Sequence, residues 1–309
     1  MLFVFELTIL LTLQPLINSL GMQLINRGIQ INFSLARGIG SITFAVFCII
    51  LGNLVGQFGT DSLSVFSFSL CAALIPAILL FTNKRLPHSF TRQSIPNAEK
   101  KDMQETQADN FISFIKHNKR FMVLIGAVAL TFCSHQLINY YLIQITQQIG
   151  GTAKEMGIAT GIAAAIELPA MILFSIAIKK IHSGSIFKFS LFFFMIKAAM
   201  TAAASTIGIL YAAQLLESCS YALFIPASIY YVNELLKKED LIKGQAFMTS
   251  AVTLGGVAAS VLGGWLLDSY GVKTMLFIGV FISVFGLLVG LCSIEKPKVK
   301  QVTSELPIK

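Results

Sequence analysis

The sequence predicts an all-α fold, a polytopic transmembrane helical bundle of about nine helices, and three observations carry that prediction. The first is composition: of 309 residues, 55% are hydrophobic and only 12% charged, with a mean hydropathy of +0.76. A soluble domain carries roughly 25% charged residues, so this chain cannot cover a water-facing globule of its size. The second is spacing, because nine apolar stretches each approach the roughly 20 residues needed to cross a bilayer. They run over 3–20, 35–55, 63–81, 121–145, 157–178, 186–207, 209–235, 245–267 and 274–292. The third is charge: alternate connections hold 20 of the 23 Lys and Arg residues, the opposite ones hold Lys154 and Lys273, and Lys197 lies inside the sixth stretch. Basic loops stay cytoplasmic, which implies a multi-pass plasma-membrane protein with its N-terminus outside and its C-terminus cytoplasmic. These properties disfavour a soluble enzyme, a disordered tail and a nucleic-acid binder.

The first stretch, 3–20, lacks a basic lead and a small-residue cleavage site, so it reads as a span rather than a signal peptide. Glu6, near its outer end, reads as a headgroup-level residue. The polar stretch after residue 82 separates three helices from six. The implied organisation is a partial N-terminal half over 1–82, a cytoplasmic loop over 83–119, a six-helix half over 120–294 and a cytoplasmic tail over 295–309. Within the loop, 110–120 could form a surface helix with Phe111, Ile112, Phe114 and Ile115 toward lipid and Lys116, Lys119 and Arg120 toward headgroups. Gly52 with Gly56, and Gly256 with Ser260 and Gly264, have the spacing of close helix contacts. Pro15, Pro76, Pro169 and Pro226 fall within helices and can bend them. Cys48, Cys71, Cys133, Cys219 and Cys292 stand singly in apolar surroundings, as small core residues do. Six helices after a long loop form a natural half of a transporter built from repeats.

No nucleotide-binding loop, catalytic triad or metal spacing occurs, so no cofactor, no metal and no enzymatic activity are expected. The informative positions are polar residues at membrane depth, each a functional candidate because burying it there costs a few kcal/mol. Glu167, between alanines and Pro169, has no local partner and could bind and release a proton; the alternative is an acid that only satisfies a neighbouring helix. Glu217 shares a face with Gln214 and Tyr221. Lys197 and Glu217 lie roughly ten residues either side of a tight connection, about 15 Å along each helix, so an ion pair between them is plausible. Protonating Glu217 would release Lys197; a static bridge that sets helix register explains the pair almost equally. His135, Gln136 and Asn139 suit a hydroxylated solute, or hydrogen bonding between helices. Arg37 could be a loop anchor or could reach a bound solute.

The segments Phe33-Ser34-Leu35-Ala36-Arg37-Gly38-Ile39-Gly40-Ser41, Ala165-Ile166-Glu167-Leu168-Pro169 and Leu262-Gly263-Gly264-Trp265-Leu266-Leu267-Asp268-Ser269-Tyr270-Gly271 resemble the major facilitator superfamily. The branch they resemble is that of lactose permease and its oligosaccharide and nucleoside relatives. The resemblance runs along the chain but starts at the family's fourth helix, which implies an incomplete major facilitator fold lacking the first three. It also implies that Arg37 contacts sugar, that Glu167 links sugar binding to proton transfer, and that Lys197 and Glu217 replace a ninth-helix arginine and a tenth-helix histidine. Where the family carries further acids, this chain has Ser220, Gln136 and Asn139, so Glu217 or Glu167 would have to take the proton.

The resulting expectation is proton-coupled symport of a small hydrophilic solute, a sugar or oligosaccharide, by alternating access. Arg37, Gln136, Asn139 and Glu167 would bind substrate, and Glu167, Lys197 and Glu217 would couple protons. The partners are the solute, protons and the lipid bilayer, with no nucleic acid. The alternatives are a non-transporting remnant or an assembly or sensor partner, and a nucleoside or drug transporter of the same superfamily.

Overall fold

The computed structural model describes residues 33–59, isolated positions between 66 and 76, and residues 113–237 and 240–294. Every regular element among them is helical: α1 (Phe33–Phe58), α2 (Lys119–Tyr140), α3 (Leu142–Gln148), α4 (Ala153–Ala177), α5 (Ser183–Ala202), α6 (Ile207–Leu215), α7 (Tyr221–Leu235) and α8 (Leu241–Ser293). Six segments among the described residues are long and apolar enough to cross a membrane. The last spans 51 residues and is broken at Gly271 into 243–270 and 272–293, each long enough to cross once. The spans expected at 3–20 and, for most of its length, at 63–81 lie outside the described residues. So do Glu6, residues 83–112 and the tail 295–309.

The helix boundaries follow from local chemistry. Thr152 and Glu155 form a reciprocal capping box at the start of α4, with the Thr152 amide donating to Glu155 Oε2 at 2.8 Å. The preceding Gly150 takes a φ of +83°, turning the chain between α3 and α4. Gly271 sits at φ 78° and ψ 173°, a conformation nearly restricted to glycine. Gly271→Ala should therefore cost about 1–3 kcal/mol. Thermal unfolding of the purified protein in detergent would show it as a lowered midpoint.

Two spans are not the continuous helices that hydropathy predicts. The fourth, expected over 121–145, breaks at Tyr141 between α2 and α3. Tyr141 turns to donate its hydroxyl to the Ser260 carbonyl at 2.8 Å, pinning the break to the first half of α8. The seventh, expected over 209–235, divides into α6, a 3-10 turn over Leu216–Ser218 and α7. Glu217 sits in that turn.

Close helix approach occurs where side chains are absent. A Cβ on Gly52 would lie 2.9 Å from Gly157 Cα, and one on Gly157 would lie 2.5 Å from the Cys48 carbonyl oxygen. Gly161 meets Ala45 and Ile49 along the same seam, so α1 and α4 touch backbone to backbone. Gly56, the other half of the expected motif, has nothing within 4 Å among the described residues. On the far side, α2 packs against both halves of α8, with Gly255 over Ala129 and Gly286 over Ala127 and Thr131.

The segment before α2 corrects an expectation. Phe114 is buried rather than turned to lipid, stacking on Phe247 with ring centroids 5.5 Å apart and meeting Phe121 edge-on. Ile115 beside it is exposed, as predicted. The apolar interior comprises two clusters. One holds Phe132, Phe187, Phe194 and Phe224, the other Leu137, Ala198, Leu210 and Met275. The polar site lies at their junction.

Candidate functional site

Lys197 of α5 is 1% exposed, the most costly residue to place in an apolar interior, and Glu217 is 5% exposed. The structure brings them together: Lys197 Nζ donates to Glu217 Oε2 in a buried ion pair. The break between α6 and α7 makes this possible, because the 3-10 turn holds Glu217 where α5 passes. The other carboxylate oxygen, Oε1, lies 3.6 Å from Nε2 of His135 on α2. Three helices thus deliver one acid and two bases to a single buried point.

The surroundings fix the geometry. The His135 ring stacks on Tyr221, centroids 5.5 Å apart and 14° between planes, and meets Phe132 and Phe194 edge-on. Asn139 Nδ2 lies 3.0 Å from His135 Nε2, and 3.3 Å from Gln136 Oε1. With Asn139 donating, the neutral imidazole carries its proton on Nδ1. Asn139 and the adjacent Tyr140 are exposed, and polar contacts lead from Asn139 through His135 to Glu217 and Lys197. His135 Nδ1 and Gln214 Nε2 are buried without a protein partner among the described residues.

Glu167 stands apart, on α4. Its partner comes from a neighbouring helix, as the alternative reading had it: Ser41 Oγ of α1 donates to Glu167 Oε2 at 3.2 Å. The contact joins α1 to α4 on the seam lined by Gly52, Gly157 and Gly161. Arg37 falls within α1, four residues before Ser41, and its side chain lies outside the described residues. The residues singled out from sequence therefore form two groups, His135, Gln136, Asn139, Lys197 and Glu217 inside the six-helix unit, and Ser41 with Glu167 at its seam with α1. Spacing alone did not join His135 to Glu217, or Ser41 to Glu167, since each pair is distant in sequence.

A larger cleft of about 710 Å³ lies between α2 and α8, lined by Val123, Leu130, Leu254, Leu262 and Phe285 among others. Its walls are apolar and none of the charged residues reaches it. Among the described residues no group of His, Cys, Asp and Glu has the arrangement of a metal site.

The all-helical architecture agrees with a comparison against known families. Residues 124–307, more than half of the chain, match the model of the Major Facilitator Superfamily. The chain belongs to this superfamily. It is also similar to a "Probable transport protein HsrA" of Haemophilus influenzae, 25% identical over 155 residues, which are 49% of this chain and 33% of that protein. The chain thus matches about a third of that relative's length. The superfamily match agrees with the apolar helices of membrane-spanning length among the described residues.

Proposed function

We propose that this facilitator moves a small hydrophilic solute, a sugar or oligosaccharide, by proton symport, with alternating access between the α1 side and the six-helix unit. The observation that carries the reading is the buried cluster of His135, Lys197 and Glu217, in contact with the exposed Asn139. The resemblance to lactose permease and its relatives, rather than composition or geometry, supplies the solute class.

The chemistry follows from the distances. A proton reaching His135 Nε2 from the Asn139 side stands beside Glu217 Oε1 at 3.6 Å. Transfer to the carboxylate neutralises Glu217, and Lys197 loses the charge that holds it. A buried ammonium without its counter-ion is strongly destabilised, so the helix bearing it must shift or find another partner. That shift is the coupling step: the proton changes the relative stability of two packings of α5, α6 and α7. On release, the carboxylate recaptures Lys197 and the first packing returns.

Glu167 has the second role. Its hydrogen bond from Ser41 crosses the seam that alternating access must open and close. A solute hydroxyl that took the place of Ser41 would loosen that seam only when solute is bound, and Arg37, on the same helix, would add a donor to the solute. Gln136 and Asn139 offer further hydrogen bonds beside the cluster.

The test uses the protein in proteoliposomes with an internal pH-sensitive dye and radiolabelled lactose as the first of a panel of sugars. Glu167→Gln should remove proton-driven accumulation while leaving membrane insertion and unfolding temperature near those of the parent. Accumulation at the parent rate would remove Glu167 from the mechanism.

A further inference from the structure

The end of the bundle away from the Tyr141 break carries a second, separate cavity. It is a cleft of about 500 Å³ where residues 113–117, the start of α2, the end of α7 and the start of α8 converge. His117, Lys237 and Lys243 line it with Ser113, Asn118 and Asp240, over a floor of Phe114, Leu235 and Leu236. The floor is fixed: Phe114 and Leu236 belong to the main apolar cluster.

The cleft has a charge pattern that suits one kind of occupant. Asp240 is paired with Lys243 at 3.3 Å, and among the described residues Lys237 and His117 form no ion pair. Lys116 and Lys119, neighbours of His117 and Asn118 in sequence, are exposed and add positive charge to this end of α2. Asn118 and Asp240, the N-cap positions of α2 and α8, make no side-chain cap, and the positive ends of two long helices add to that field. An anion is favoured at the polar wall; Phe114 and Leu236 are buried, so the apolar surface left for an aliphatic chain is the half-buried Leu235 and the exposed Ile115. The cleft lies at the ends of membrane-spanning helices, at headgroup depth, with exposed Ile115 alongside.

We propose that this cleft binds the headgroup of one anionic phospholipid, the phosphate held by Lys237, Lys243 and His117 and the start of the acyl chains laid against Leu235 and Ile115. Basic pockets between helices at the membrane surface select such lipids by phosphate contact combined with chain burial. Asp240 positions the Lys243 ammonium. A seated lipid would brace α2 against α7 and α8 at the end opposite the Tyr141 break.

The test is native mass spectrometry of the full protein in detergent with equal amounts of phosphatidylglycerol and phosphatidylcholine. The parent should retain one phosphatidylglycerol in preference. Lys237→Gln combined with Lys243→Gln should cut that preference at least about tenfold, as expected for two lysine contacts at a membrane surface. Lys179→Gln with Lys180→Gln removes the same charge from the same end, which the Ser183 to Glu234 hydrogen bond joins to α7, and should leave the preference intact. No preference in the parent, an unchanged preference in the first double variant, or equal loss in both overturns the site. Displacement of the lipid by millimolar inorganic phosphate would overturn the lipid as occupant and assign the cleft to a soluble phosphate.

Discussion

Lys197→Met alone should destabilise the protein by about 3–5 kcal/mol, because it leaves the Glu217 carboxylate buried without its counter-charge. Lys197→Met together with Glu217→Leu should recover most of that loss, since an apolar pair of similar volume can replace a buried ion pair at little cost. The two measurements that check this are the thermal midpoint in detergent and proton-driven uptake in proteoliposomes. The double variant distinguishes the two readings of the pair. A static bridge that sets helix register predicts a stable protein that still transports. A coupling pair predicts a stable protein that inserts, folds and no longer accumulates solute. His135→Gln should show an intermediate effect, with slower proton uptake at an unchanged midpoint, because His135 sits beside Glu217 at 3.6 Å and is not its principal counter-charge.

Gly157→Val should be the most damaging single substitution on the seam between α1 and α4. The added Cβ would lie 2.5 Å from the Cys48 carbonyl oxygen and 2.9 Å from Gly52 Cα, and both obstacles are backbone that cannot rotate away. Overpacking a core usually costs about 1–3 kcal/mol, and a clash against backbone falls at the upper end of that range or above it. The consequence for function is larger than for stability. Prising α1 from α4 also separates Ser41 from Glu167, so uptake should fall at least about tenfold, the factor that about 1.4 kcal/mol represents. Gly56→Val, on α1 in the same spacing motif as Gly52, has nothing within 4 Å to meet among the described residues and should leave midpoint and uptake near the parent values. A comparable loss in both variants would show that the seam contributes nothing specific.

These two results bear on how much the sequence shows by itself. Apolar stretches of membrane-spanning length identify α1, α2, α4 and α5 and both halves of α8, because the cost of exposing polar backbone to lipid makes such stretches helical whatever their partners. The interruptions are less visible. Gly271 marks its own break, since only glycine is comfortable at its dihedral angles. Tyr141 and the turn at Leu216–Ser218 do not, because their neighbours stay apolar and helix-compatible, and the breaks are fixed by tertiary partners, Ser260 for one and Lys197 for the other. Phe114 misleads for a related reason: an amphipathic pattern shows that one face is apolar and not whether that face meets lipid or protein.

The site was legible in the same uneven way. Lys197 and Glu217 stand out because charges at membrane depth are rare, and a single tight connection places them at matching height. His135 joins them from a helix distant in sequence, and Glu167 finds Ser41 across the seam. Neither contact leaves a trace in local spacing. Gly52 and Gly56 were indistinguishable as a motif, and only one of them meets a neighbouring helix.

Proton coupling through Glu217 is the central claim, and one experiment addresses it directly. Proteoliposomes containing the parent or Glu217→Gln protein would be loaded with buffer at alkaline pH, diluted into acidic medium with radiolabelled lactose, and followed for accumulation and for exchange at equal pH. The account predicts that the parent accumulates sugar above the external concentration, and that Glu217→Gln exchanges sugar without accumulating it. Accumulation by Glu217→Gln equal to that of the parent would contradict the account.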